Sequence, residues 1–257
     1  MTAPAHPLLD WSPEAVVFDC DGTLMDTERH WQEARQRAFR TFGLHAPPRF
    51  AEQAKGMHYA DCGRLMAQAV HKPELTADLT TALLDQFMKL VEDDPVTMPG
   101  AAEFVRTLSG RLPLAVASNC PLDVVKQSLE GAGLLRHFRH VVVPSAPPAG
   151  SNGACTHATS NGHAPPDTVL PKPWPDVYSR AALLCGVRPH RALAVEDSLT
   201  GVGSARRAGL RVLGVGPHPA PVTESDNQPD LWVSSLHAPE LLTWARTRVP
   251  GTAWDGT

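Results

Sequence analysis

Residues 15–28 read AVVFDCDGTLMDTE, and this stretch constrains the chain more than any other. Ala15 to Phe18 is an unbroken, partly β-branched apolar run of the kind required by a strand buried on both faces. It stops at two carboxylates one residue apart, Asp19 and Asp21, followed by Gly22 and Thr23. A buried strand is therefore opening into a turn. In an open α/β sheet the groups just beyond a strand's carboxyl end sit in the crevice where ligands bind. Two carboxylates held there repel each other unless a cation offsets the charge. Mg²⁺ suits such a place, because it is a hard ion that takes carboxylate and carbonyl oxygens and commonly meets phosphates. Taken alone, the stretch also fits a strand that ends in a solvated acidic turn.

Composition narrows the classes of function. The 257 residues suffice for one large domain, or for one domain carrying a smaller second one, and a 42% hydrophobic share supports a sizeable core. The formal charge is -4 and no Lys/Arg cluster stands out, so no nucleic-acid partner is expected. No apolar run reaches membrane-spanning length and the N-terminal stretch lacks a cationic start before an apolar core. No membrane partner is expected, and a cytoplasmic location follows as the default. Cys20, Cys62, Cys120, Cys155 and Cys185 are odd in number and form no CxxC pair, which argues against a disulfide framework and a thiolate zinc site.

In chain order, Asp26 or Thr27 reads as the N-cap of a helix from Glu28 to Phe42, stopped by Gly43. Arg49 to Lys55, Asp61 to Val70 and Ala77 to Glu92 repeat at the helical period, so the segment up to Asp94 reads as a helical insertion. The pattern then changes to short apolar strands at Leu114 to Ala117, Val141 to Val143, Ala192 to Val195, Arg211 to Val215 and Leu231 to Val233. Helices lie between them, the first two beginning after Pro99-Gly100 and at Pro121. This alternation predicts an α/β fold: a Rossmann-like parallel sheet with helices on both faces, plus a small all-helical cap. The expected domains are a core of residues 1–27 and 96–257 and a cap of residues 28–95. Pro144 to Leu170, rich in Pro, Gly, Ser, Asn, Ala and Thr, reads as a flexible loop inserted in the core. Cys155, His157 and His163 lie in it at spacings that match no zinc pattern.

Four chemistry-bearing places fall at predicted strand ends: Asp19 with Asp21, Ser118-Asn119 after LAVA, Lys172 in LPKPWPDVY, and Glu196-Asp197-Ser198 after ALAV. Each has a plain structural alternative. Ser118, Asn119 and the acidic pair are good helix caps, and a lysine is most often solvated.

Together, in this order, the four motifs resemble those of the haloacid dehalogenase superfamily, over nearly the whole stretch from Ala15 to Arg246. The helical insertion resembles the cap of the subgroup that holds phosphoglycolate phosphatase, hexose-phosphate phosphatases and β-phosphoglucomutase. Residues 144–170 depart from the pattern, since related chains have a short connection there. The resemblance implies a Mg²⁺-dependent phosphatase acting on a small phosphorylated metabolite through an aspartyl-phosphate. In those roles Asp19 attacks phosphorus, while Asp21 protonates the leaving oxygen and then deprotonates water. Mg²⁺ is held by Asp19, the Asp21 carbonyl and Asp197, with Glu196 closing the shell directly or through water. Ser118, Asn119, Lys172 and the backbone around Gly22 and Thr23 bind the phosphoryl oxygens. Lys55, Gly56, His58 and Tyr59 look like the cap loop that sets specificity. Tyr59 stands where β-phosphoglucomutase has an arginine, which makes a phosphosugar mutase the alternative activity. A catalytically silent binding protein of the same fold is a second alternative. A monomer or weak homodimer is expected.

Overall fold

The computed structural model describes residues 6–54, 57, 59–145, 168–217 and 228–249. In chain order the elements are β1 (Ala15–Phe18), α1 (Glu28–Thr41), α2 (Phe50–Ala54), α3 (Tyr59–Ala69) and α4 (Thr76–Asp93), then α5 (Ala101–Leu108), β2 (Leu114–Ala117), α6 (Leu122–Gly131) and β3 (His140–Val142). They continue with α7 (Asp176–Leu184), β4 (Ala192–Glu196), α8 (Leu199–Arg207), β5 (Arg211–Val215), β6 (Leu231–Val233) and α9 (Pro239–Thr247). The described residues fall into two compact units, those within Met1–Asp26, Thr97–Pro144 and Val169–Thr257, and those within Thr27–Val96 together with Ser145 and Thr168.

The first unit is built on a six-stranded sheet in the order β3-β2-β1-β4-β5-β6, every neighbouring pair parallel. Parallel strands need helical crossovers, and crossovers on both faces bury each strand twice. Every residue of β1 and of β2 is accordingly buried. The period of two divides them cleanly. Val16 and Phe18 face Phe104, Val105 and Leu108 of α5, Leu129 of α6 and Trp244 of α9. Ala15 and Val17 face Val177, Tyr178 and Ala181 of α7 and Val202 and Ala205 of α8. This second layer is rich in alanine, which lets its helices approach the sheet closely.

Chain order turns back beside β1: β2 and β3 lie to one side of it, β4 to β6 to the other. In such sheets the crevice at the turn-back is the ligand site. Register completes the arrangement, with Phe18 level with Val116 on one side and Val195 on the other. The residues that follow these positions therefore emerge together at one edge.

The second unit is helical. Leu79, Leu83, Phe87 and Val91 recur at every fourth position of α4 and are buried, and Phe87 stacks on Trp31 of α1 with ring centroids 3.7 Å apart. On α3, a side chain at Gly63 would come within 1.8 Å of Thr80 Oγ1 on α4, so glycine permits the close approach of these helices.

Three local expectations change. The edge strand β3 begins at His140 rather than Val141, and β4 runs one residue further, to Glu196. Thr27 does stand at the N-cap of α1, but its side chain makes no capping hydrogen bond and its backbone is already helical. Most of the predicted loop, residues 146–167 with Cys155, His157 and His163, lies outside the described residues, as do Lys55, Gly56 and His58. Among the described residues no helix is long and apolar enough to cross a membrane.

Candidate active site

Asp19 follows β1 directly, and its N–H continues the strand pairing by donating to Val195 O at 2.9 Å. The next residues close a tight loop. Leu24 and Met25 N–H both donate to Cys20 O at 2.9 Å, and Gly22 N–H donates to Met25 O at 2.8 Å. Gly22 sits at φ +86°, a conformation glycine adopts without steric cost. On the neighbouring strand Ser118 N–H pairs with Val142 O at 3.1 Å. Ser118 Oγ accepts from Cys120 N–H at 3.0 Å and lies 3.5 Å from Asp21 Oδ2.

Lys172, between β3 and α7, is the hub. Its Nζ donates to Asp19 Oδ1 at 2.5 Å and to Glu196 Oε1 at 2.6 Å, and it lies 4.9 Å from the centroid of the Tyr178 ring. Glu196 is fully buried. Besides Lys172, its Oε1 accepts from Tyr178 OH at 2.8 Å, and its Oε2 accepts from Ser198 N–H and Ser198 Oγ at 3.1 and 3.0 Å. Four hydrogen bonds occupy both oxygens. Ser198 in turn caps α8, its Oγ accepting from Gly201 N–H at 3.1 Å.

Asn119 shows a role that its neighbour Ser118 does not share. Its Oδ1 accepts from Lys172 N–H at 2.8 Å and its Nδ2 donates to Lys172 O at 3.2 Å. The carboxamide thus holds both main-chain groups of the lysine, and this leaves one N–H of Nδ2 over. The following residues are tied to α8, Ser204 Oγ donating to Trp174 O at 2.5 Å and Arg207 Nη1 to Pro173 O at 3.1 Å.

Asp19, Glu196 and Asp197 bring carboxylate oxygens within 4.8 Å of one another, a grouping suited to a cation. Asp19 Oδ2 is buried with no hydrogen-bond partner, and so is Thr23 Oγ1. A buried carboxylate oxygen left unpaired is costly, and a hard divalent ion would satisfy it. Burial, reinforced against the pull of Lys172 by Glu196, Asp197 and Asp21, holds the Asp19 carboxyl well above the ordinary carboxylate range. Burial and then Glu196 push Asp197 up to about 7. Burial alone would lower Lys172, but Asp19 and Glu196 more than offset it and keep the ammonium charged. Four acids thus surround one lysine, and the residues present fit a Mg²⁺ ion.

The structure therefore brings Asp19, Asp21, Gly22, Thr23, Ser118, Lys172, Glu196 and Asp197 to one edge of one unit. Tyr59 belongs to the helical unit, at the start of α3. Sequence reasoning missed Tyr178 and Gly201. A side chain at Gly201 would come within 1.7 Å of Glu196 Oε1. Its signal was present as Gly201 and Gly203 inside one helical run, since each costs about 1 kcal/mol there and so points to a close approach.

Sheet order and site together define a parallel α/β enzyme with a buried carboxylate–lysine cluster at its switch point. The chain belongs to the haloacid dehalogenase-like hydrolases, whose family model matches residues 13–209. It is similar to the probable pseudouridine-5'-phosphatase of Drosophila melanogaster, 29% identical over 77% of this chain and 79% of that protein. It is also similar to the fructose-1-phosphate phosphatase YqaB of Escherichia coli (strain K12), 26% identical over 78% and 95%. Its fold matches the crystal structure of CbbY from Rhodobacter sphaeroides in complex with phosphate, with a TM-score of 0.67 and 24% identity over 88% of this chain and 96% of that one.

Proposed function

We propose that the chain is a Mg²⁺-dependent phosphatase that hydrolyses a small phosphorylated metabolite, a sugar phosphate or similar phosphomonoester, through an aspartyl-phosphate on Asp19. The observation that carries the reading is the state of Asp19. One of its oxygens is held by Lys172 Nζ, the other is buried and unpaired, and the carboxylate is grouped with those of Glu196 and Asp197. A carboxylate fixed in this way is oriented to attack rather than to stabilise the fold. The phosphatase names of the Drosophila and Escherichia coli relatives support the substrate class.

In this mechanism Asp19 attacks phosphorus and the leaving oxygen departs opposite to it. Asp21 gives that oxygen its proton and later takes one from the water that opens the intermediate. Ser118 Oγ and the N–H groups of the loop after Asp19 donate to the phosphoryl oxygens, and Lys172 adds positive charge beside them. Asn119 holds Lys172 by its main chain, and Tyr178 and Ser198 hold Glu196. Asp19, the Asp21 carbonyl and Asp197 would hold the ion, with Glu196 acting through water because its own oxygens are occupied. Mg²⁺ would supply charge neutralisation between the nucleophile and the phosphoryl oxygens.

The test is phosphate release from p-nitrophenyl phosphate and a panel of phosphorylated sugars, followed by a rapid acid quench to trap phosphate on the protein. Label recovered on a peptide containing Asp19 is the expected result. Turnover without a trapped species, or in excess chelator, would overturn the mechanism. Conversion of one sugar phosphate into its isomer without free phosphate would favour the mutase.

A further inference from the structure

Two side chains of the loop after β2 reach Asp21, the residue that carries the proton steps of the reaction proposed above. Ser118 Oγ lies 3.5 Å from Asp21 Oδ2, longer than the usual O–H···O bond, so this contact holds the carboxyl loosely. The same Oγ accepts from Cys120 N–H at 3.0 Å, and its hydroxyl has a single proton to donate. In the reaction a phosphoryl oxygen needs that proton, and one proton cannot serve two acceptors at once. The second side chain is Cys120, whose thiol makes a hydrogen bond to Asp21. Burial, then the charge of Asp21 and that bond, hold the thiol well above its ordinary value. It therefore stays protonated, a donor rather than a nucleophile.

The place of Cys120 is fixed from both sides. Its N–H is tied to Ser118, and the next residue is Pro121, the N-cap of α6, which confines the backbone before it to extended conformations. Its half-buried side chain packs against the hydrophobic layer that holds Val16 and Phe18. We propose that Cys120 is a positioning residue for the reaction: its thiol keeps Asp21 turned towards the leaving oxygen when Ser118 gives its own proton to the phosphoryl group. An oxygen that accepts from the thiol carries no proton there, so the acid proton of Asp21 is left on its other oxygen, the one that meets the leaving group. The bond persists while Asp21 later takes a proton from water. No bond to sulfur forms or breaks, and the thiol keeps its proton throughout. The inference rests on the reading of Asp21 as acid and base, because Cys120 acts only through that residue.

The test compares Cys120→Ala and Cys120→Ser with the wild type, in Mg²⁺, on two aryl esters that differ in leaving group, phenyl phosphate and p-nitrophenyl phosphate. Phenoxide is basic, its parent phenol ionising at about pH 10 as tyrosine does, and needs the proton of Asp21 to depart. The delocalised p-nitrophenoxide departs without it. With Cys120→Ala, kcat/KM should fall by about 3–10-fold for phenyl phosphate and by less than about 2-fold for p-nitrophenyl phosphate. Cys120→Ser keeps a donor and should recover most of the loss on phenyl phosphate. A role in packing alone would lower both esters equally. Equal losses, no loss on phenyl phosphate, or a serine variant as slow as the alanine one would each overturn the role. Thermal melts check that the variants are folded, and Cys120→Val, which removes the donor and fills the space, replaces alanine if that variant is not. A wild type that releases phosphate from neither ester would sink the phosphatase reading and this one with it, an outcome distinct from an active wild type whose variants treat both esters alike.

Discussion

A methyl group on Gly22 would lie 2.3 Å from Asp197 Oδ2. The loop after β1 and the loop after β4 therefore touch at a point where no side chain fits, and the position of Asp197 depends on the absence of one. Gly22→Ala adds both this clash and the cost of a left-handed backbone, about 1–2 kcal/mol. Turnover should fall at least 100-fold, a direction that follows from displaced carboxylates, whose misplacement by an ångström is costly. The melting temperature should fall by about 2–8 °C. Steady-state kinetics and a thermal melt check both, and near-normal turnover would show that Asp197 can move aside harmlessly.

Asp19→Asn separates catalysis from stability. Because burial raises the Asp19 carboxyl, its ionised form opposes folding at neutral pH in the metal-free protein. The amide keeps the shape and removes that charge. Turnover should drop by about 1,000-fold or more, while the melting temperature in chelator should equal or exceed that of the wild type. A marked loss of stability would mean that the Asp19–Lys172 pair holds the fold together.

Tyr178→Phe removes one of the four donors to Glu196. The buried acceptor keeps three partners, so the stability cost should be about 1 kcal/mol. Since Tyr178 acts on the reaction only by positioning Glu196 and Lys172, kcat should fall modestly, by about 3–10-fold, with KM nearly unchanged. An unaltered kcat would remove Tyr178 from the site.

Asp197 links metal to pH. With its carboxyl raised to about 7, the folded metal-free protein takes up a proton as pH falls from about 7 towards the ordinary carboxylate value near 4. Stability of that form therefore decreases as pH rises through this window. Mg²⁺ must displace the proton, so its apparent affinity should rise about tenfold per pH unit below about 7 and level off above it. Calorimetric titration at about pH 6 and about pH 8 measures the effect, and equal affinities at both would show that Mg²⁺ displaces no proton from Asp197 in this range.

Asn119→Ala tests the lysine clamp. Removing both main-chain hydrogen bonds frees Lys172 to shift, which should reduce kcat/KM by about 10–100-fold. Asn119→Asp should not rescue it, because a carboxylate can accept from Lys172 N–H but cannot donate to Lys172 O. Full rescue by aspartate would assign the residue a purely electrostatic role.

The amino-acid sequence by itself determined the layers and, to within a residue, the ends of the strands. A run such as Ala15 to Phe18 can be satisfied only by burial on both faces, and polar residues where such a run stops must lie at the sheet's rim. Those are consequences of short-range sterics and hydrophobic period, which the chain carries locally. Asp19, Asp21, Ser118, Glu196 and Asp197 were legible for that reason, whereas Lys172 follows no strand and was legible only through its resemblance to the family's motif. What each polar atom does was decided only by tertiary structure. Lys172 and Asp19 are 153 residues apart, and the packing of the segment before α7 against the sheet's edge makes them partners. The same packing sets Asn119 on the lysine's main chain, brings Tyr178 of α7 to Glu196, and leaves no room at Gly22 or Gly201. A hydrogen bond needs both partners within a few tenths of an ångström, and no local pattern specifies a distance between residues that meet only when the sheet has formed.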